Sequence, residues 1–247
     1  MNVFEIISLR RSGHHAFINW LFANFVGTPY EALSTTYAHD DNLKLLYLNQ
    51  AEFGFNEHQN HITNNISRIE YLFSSTETAH AKFSILNKFN PTFTNWQNTD
   101  FKDLWNITNY KRVIFVRDFY NCFASQIKVS PPDWENESEY NSHMYNNWKS
   151  HLNAVLNSDY AVFYDKWISD AEYANQVSLD LLNVSNKFYP LDIKGTVSSF
   201  NLFEKVNLEK YLTRYKEVEF PMWFREKVKN DSELQFLLDK FNMNYLF

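Results

Sequence analysis

The first 26 residues constrain the fold more than any other stretch. VFEIISL (3–9) is a short β-rich run, RRSGHH (10–15) is polar and holds one glycine, and AFINWLFANFV (16–26) is apolar on nearly every side. A helix that is hydrophobic all round belongs in a core, and a continuous apolar strand belongs in the middle of a parallel sheet. The order is therefore buried strand, tight loop, buried helix. The chain has only four glycines, so Gly13 is expected where the backbone needs its freedom.

The same grammar returns downstream. KRVIFVRD (111–118) is an apolar run ending in charge, and FYNCFASQIK (119–128) reads as a helix stopped by Pro131 and Pro132. YAVFYD (160–165) is a further strand candidate. It leads into SDAEYANQVSLDLL, where Ser169 and Glu172 have capping-box spacing and Tyr173, Val177 and Leu181 share a helix face. LKLLYL (43–48) and IEYLFSS (69–75) are weaker strands on either side of an Asn- and His-rich loop. The C-terminal third reads helical and ends in DSELQFLLDKF, capped at Asp231 or Ser232. Strands alternating with helices predict an α/β fold. It is expected to be a P-loop NTPase-like parallel β-sheet flanked by helices, with a helical C-terminal third, built as one domain over residues 1–247.

Composition narrows the function. The 29 acidic residues outnumber the 23 Lys and Arg, for a formal charge of −6, which argues against a general nucleic-acid binder. Cys122 is the sole cysteine, so an internal disulfide or a cysteine zinc site is ruled out. No apolar stretch reaches the roughly 18 residues a membrane span needs. The opening MNVFEIISLRR puts the apolar run before the charges, the reverse of a signal peptide. The expectation is a cytoplasmic protein.

In an open parallel sheet, ligands bind beyond the C-terminal ends of the strands. The loop 10–15 lies there, at a helix N-terminus whose backbone amides favour an anion. Arg10 and Arg11 add charge, while Ser12, His14 and His15 add donors, which suits a phosphate or a sulfate. The loop is not a Walker A motif, since it lacks the first glycine and the lysine, and His stands where the Mg²⁺-binding hydroxyl would be. An anion loop without metal apparatus suits transfer of a sulfuryl group, which carries less charge than a phosphoryl group.

ISLRRSGHHAFINWL resembles the phosphosulfate loop of the P-loop sulfotransferases, which use 3′-phosphoadenosine-5′-phosphosulfate (PAPS). Arg11 stands at the family's basic position, Ser12-Gly13 match, and His14-His15 replace a hydroxyl pair ahead of Ala16. VIFVRDFYNCFAS resembles the family's 3′-phosphate site, with Arg117 at a strand end and Ser125 eight residues on. Arg supplies a planar fork of donors and Ser a hydroxyl. IKGTVSSF resembles, less closely, the late stretch that closes over adenosine 3′,5′-bisphosphate, through Lys194, Gly195 and Thr196. VFYDKWISDAEYANQV is similar to sequence between these motifs in a bacterial and phage-like subfamily.

The resemblance implies in-line transfer of a sulfuryl group from PAPS to a hydroxyl or amine acceptor, without a metal. A glycan acceptor is favoured by family analogy only. Arg11, His15 and the helix N-terminus would stabilise the bridging oxygen of the leaving phosphate. Arg117 and Ser125 would hold the 3′-phosphate. The general base is assigned to Glu31, with His39, Asp40, Glu77 and His14 as alternatives. His58 and His61 have metal-like spacing but no third ligand, and DWENESE (133–139) reads as a solvated loop. A P-loop kinase or NTPase, and a catalytically silent protein that binds a nucleotide or glycan, are the competing readings.

Overall fold

The computed structural model describes residues 1–9, 12–28, 37–39, 44–49, 67–78, 107–129, 134–190, 208–243 and 246. Its centre is a six-stranded sheet of β1 (Asn2–Leu9), β2 (Tyr37–His39), β3 (Leu45–Asn49), β4 (Tyr71–Thr78), β5 (Asn109–Val116) and β6 (Ala161–Phe163). The strands lie in the order β2-β3-β4-β1-β5-β6. Five are parallel, and β2 pairs antiparallel with β3 at one edge. This is the expected α/β architecture, with the antiparallel edge strand added.

β1 is buried along almost its whole length because it lies between β4 and β5 with helices on both faces. Phe4 and Ile6 face one core. That core is completed by α1 (His14–Val26), α4 (Tyr164–Ser169) and α5 (Ala171–Leu182). Ile7 and Leu9 face the other core. There they meet α2 (Phe119–Val129), α3 (Glu139–Leu156), α7 (Met222–Asn230) and α8 (Ser232–Lys240). A short α6 (Leu208–Leu212) and a 3₁₀ turn at Arg214–Glu217 precede α7. No described helix is long and apolar enough to cross a membrane.

Three local expectations are corrected. The run YAVFYD is strand for only three residues, because helix α4 begins at Tyr164. The cap of α5 is Asp170, whose carboxylate accepts the N–H groups of Glu172 and Tyr173, both at 3.0 Å. Ser169 instead donates its hydroxyl back to the Asp165 carbonyl and closes α4. In the described part of DWENESE, Trp134 is buried and Glu137 pairs with Lys227 on α7, so the stretch is packed as well as solvated. Asp231 caps α8 through the Leu234 N–H at 3.0 Å, as its sequence position suggests.

Candidate active site at the strand ends

β1 delivers the loop to the C-terminal edge of the sheet. The Ser12 N–H donates to the Leu9 carbonyl at 3.1 Å, which turns the chain tightly before α1. Gly13 then takes the cap position of α1 with φ 90° and ψ 14°. That left-handed conformation strains any residue with a Cβ. Space excludes one too, since a Cβ on Gly13 would lie 2.6 Å from Cε2 of Tyr164. Gly13 has no side chain to cap the helix, and the first amide N–H groups of any helix lack an intrahelical acceptor.

The loop's donors are buried and unspent. Ser12 Oγ, His14 Nε2 and His15 Nδ1 have no hydrogen-bond partner among the described residues. Buried polar atoms left this way are costly in a native structure, and an oxyanion would satisfy them. The two imidazoles lie 4.0 Å apart, centroid to centroid. Burial, then the neighbouring His15, holds His14 well below the ordinary histidine pKa, and burial lowers His15 to about 4. Both are therefore neutral at pH 7. His14, one of the alternatives for the general base, is thus uncharged in the folded chain.

Arg117 follows β5, the strand next to β1. It is buried, and its guanidinium carbon lies 4.8 Å from the ring centre of Tyr164. The loop glycine and Arg117 thus contact one side chain. Burial works against the arginine's charge, but Tyr164, Cys122, Asp165 and Asp118 together hold its pKa above the usual value. Burial raises the Asp165 carboxyl, opposed by Arg117 and by the Asp118 N–H it accepts at 2.9 Å. Asp118 in turn accepts the Asn121 N–H at 2.7 Å and starts α2. Ser125 is buried two turns into that helix.

Three residues around these motifs are absent from the sequence expectations. Tyr164 and Asp165 are the first two residues of α4, just after β6, one against the loop and the other against the start of α2. Arg214 is buried in the 3₁₀ turn, which Asn121 pins to α2 by donating to the Leu212 carbonyl at 2.9 Å and accepting the Tyr215 N–H at 3.1 Å. The charges of Arg117 and Arg214 both act on Cys122, whose thiol burial pushes up to about 12. A buried thiol at that value is no nucleophile.

The sheet register sorts two base candidates. Glu77 is level with Ser8, next to the loop. His39 pairs with Leu46, which is level with Leu72 and hence with Val3, six residues back along β1. That is roughly 20 Å from the strand end at 3.3 Å per residue. Arg10, Arg11, Glu31, Asp40, His58, His61, Lys194, Gly195 and Thr196 lie outside the described residues.

No protein-family model matches the chain, and neither does any curated protein. Among solved structures, the chain is similar to a sulfotransferase domain from the curacin biosynthetic pathway, with a TM-score of 0.46 and 12% sequence identity. The superposition covers 100% of this chain and 99% of that one.

Proposed function

We propose that this protein is a sulfotransferase that takes its sulfuryl group from PAPS and passes it to a hydroxyl acceptor. The observation that carries the reading is the shared contact of Gly13 and Arg117 with Tyr164. It supports one bisphosphorylated ligand lying across the ends of β1 and β5. The unspent donors of Ser12, His14 and His15 suit the 5′ end of that ligand. Arg117 and Ser125 suit its 3′-phosphate, and Lys194, Gly195 and Thr196 would cover the nucleotide.

In the reaction the acceptor oxygen attacks sulfur, and the bond from sulfur to the 5′-phosphate oxygen breaks. Adenosine 3′,5′-bisphosphate leaves with the bonding electron pair, and the acceptor proton passes to a base. Arg11, His15 and the first amides of α1 would face the bridging oxygen, where charge grows in the transition state. Glu31 or Glu77 would accept the proton. The loop carries no Walker lysine, which disfavours an ATP–Mg²⁺ reaction.

Thermal denaturation with ligands tests the reading. At 100 times its Kd, adenosine 3′,5′-bisphosphate should add about 2.7 kcal/mol of apparent stability, and ATP with Mg²⁺ should add none. A larger shift with ATP–Mg²⁺ would favour the kinase reading instead. Stabilisation by the bisphosphate with no transfer of labelled sulfate to sugar, phenol or lipid hydroxyls would leave a binding protein.

A further inference from the structure

The β1–β5 ladder fixes the spacing of the two anion motifs only up to Ser8 and Phe115. The described register of the two strands ends there, short of Gly13 and Arg117. The Tyr164 ring fills that place. It is buried, it stands edge-on to Phe115 at 6.1 Å, and it tilts against Trp167 at 5.8 Å. Core aromatics therefore hold it from below. Its Cε2, Cδ2 and Cζ atoms lie 2.6, 3.1 and 3.5 Å from where a Cβ on Gly13 would be, so the loop backbone rests on it. Arg117 lies over the same ring. A tyrosine has two side-chain torsions, so a ring wedged in this way acts as a rigid spacer. Asp165, the next residue, holds the start of α2 by accepting the Asp118 N–H.

We infer that Tyr164 is a positioning residue that sets the separation between the loop and Arg117, and so tunes the site to a ligand carrying two phosphates at a fixed spacing. This rests on the reading above that both motifs bind one nucleotide. The role belongs to the ring and not to its hydroxyl. Without the ring each half-site would still hold a single phosphate, but the two would no longer fit one molecule together.

Calorimetric titration with three probes tests this on the full chain: adenosine 5′-monophosphate, adenosine 3′-monophosphate and adenosine 3′,5′-bisphosphate. The wild type should favour the bisphosphate over either monophosphate by at least about tenfold, the size of one charge-assisted contact. Tyr164→Phe should keep that preference. Tyr164→Leu should lower bisphosphate affinity about tenfold or more while changing each monophosphate by less than about threefold, so the preference collapses. An equal loss for all three probes, or no loss, would overturn the proposal. So would a loss in Tyr164→Phe as large as that in Tyr164→Leu. If Tyr164→Leu does not fold, Tyr164→Met fills the space without a flat ring and carries the same expectation. A wild type that binds none of the probes would instead defeat the nucleotide reading itself.

Discussion

A methyl group on Gly13 would come within 2.6 Å of Cε2 of Tyr164, and the two residues lie far apart in the chain. The left-handed backbone of Gly13, φ 90°, sets a second barrier to any side chain. Gly13→Ala should therefore destabilise the protein by about 1–3 kcal/mol, from backbone strain and steric overlap together. It should also weaken binding of adenosine 3′,5′-bisphosphate, because relief of the overlap moves the loop. Urea denaturation gives the first quantity and calorimetry the second. An unchanged midpoint with unchanged affinity would contradict the packing described.

Arg117→Ala removes a buried guanidinium and leaves Asp165 without its positive neighbour. Affinity for adenosine 3′,5′-bisphosphate should drop by about 1.5–3 kcal/mol, the value of hydrogen bonds to charged groups. Affinity for adenosine 5′-monophosphate should change little, since it lacks the 3′-phosphate. Equal losses for the two ligands would place Arg117 elsewhere in the site.

The buried histidines set an acid limit. Burial lowers both His15 and His151 to about 4, with the Phe115 carbonyl opposing the shift at His151, and it holds His14 well below its ordinary value. Unfolded histidines titrate near 6.5. Below that pH the unfolded chain binds protons that the folded chain refuses, so stability is lost as pH falls from about 6.5 toward 4. Each histidine contributes a slope of up to about 1.4 kcal/mol per pH unit in that window. His151→Asn should flatten the curve of denaturation midpoint against pH. Sulfate, which stays dianionic throughout the window, should flatten it only while His14 and His15 are present. A midpoint constant between pH 7 and 5 would refute the assignment.

Much of this arrangement is legible in the sequence. VFEIISL and AFINWLFANFV are apolar enough to suit a buried strand and helix, and Arg117 ends an apolar run that reads as a parallel-type strand. Other parts escape because their cause is not local. Tyr164 sits in an apolar stretch where a core role accounts for it, and only the tertiary contact with Gly13 shows otherwise. The turn that carries Arg214 is joined to α2 by the Asn121 bonds to Leu212 and Tyr215, which span more than 90 residues of chain. Helix α3 has no sequence assignment because its polar residues dilute the pattern. Its buried face of Met144, Tyr145, Trp148, Leu152 and Val155 is helical in period once seen.

A half-buried ion pair midway along β1 separates stability from function. Glu5 is 1% exposed and accepts hydrogen bonds from Tyr110 at 2.5 Å and from Arg112 at 2.8 Å. Arg112→Met should cost about 1–3 kcal/mol, less than a fully buried pair because the arginine side chain is 36% exposed. It should leave nucleotide affinity unchanged at a temperature where both proteins are folded. A fall in affinity in the folded variant would show that the middle of β1 is coupled to the loop at its end.

On the proposed reaction the acceptor proton needs a base, and Glu31 and Glu77 are two of its candidates beside Asp40, His39 and His14. Glu31 follows α1 in the sequence, and Glu77 lies level with Ser8 at the end of β4, beside the strand that carries the loop. A base acts on the acceptor and not on the nucleotide. Its replacement should therefore leave affinity for adenosine 3′,5′-bisphosphate intact while lowering turnover about 10²–10⁴-fold. Glu31→Gln and Glu77→Gln keep the shape and remove the charge, so each isolates proton transfer. Only one of the two should show the loss, and its rate should regain dependence on added small bases such as formate. His39→Asn should leave turnover unchanged, because the register places it level with Val3. Full turnover in both glutamine variants would move the base to another residue facing the acceptor, and a loss of nucleotide affinity in either would reassign that glutamate to the donor site.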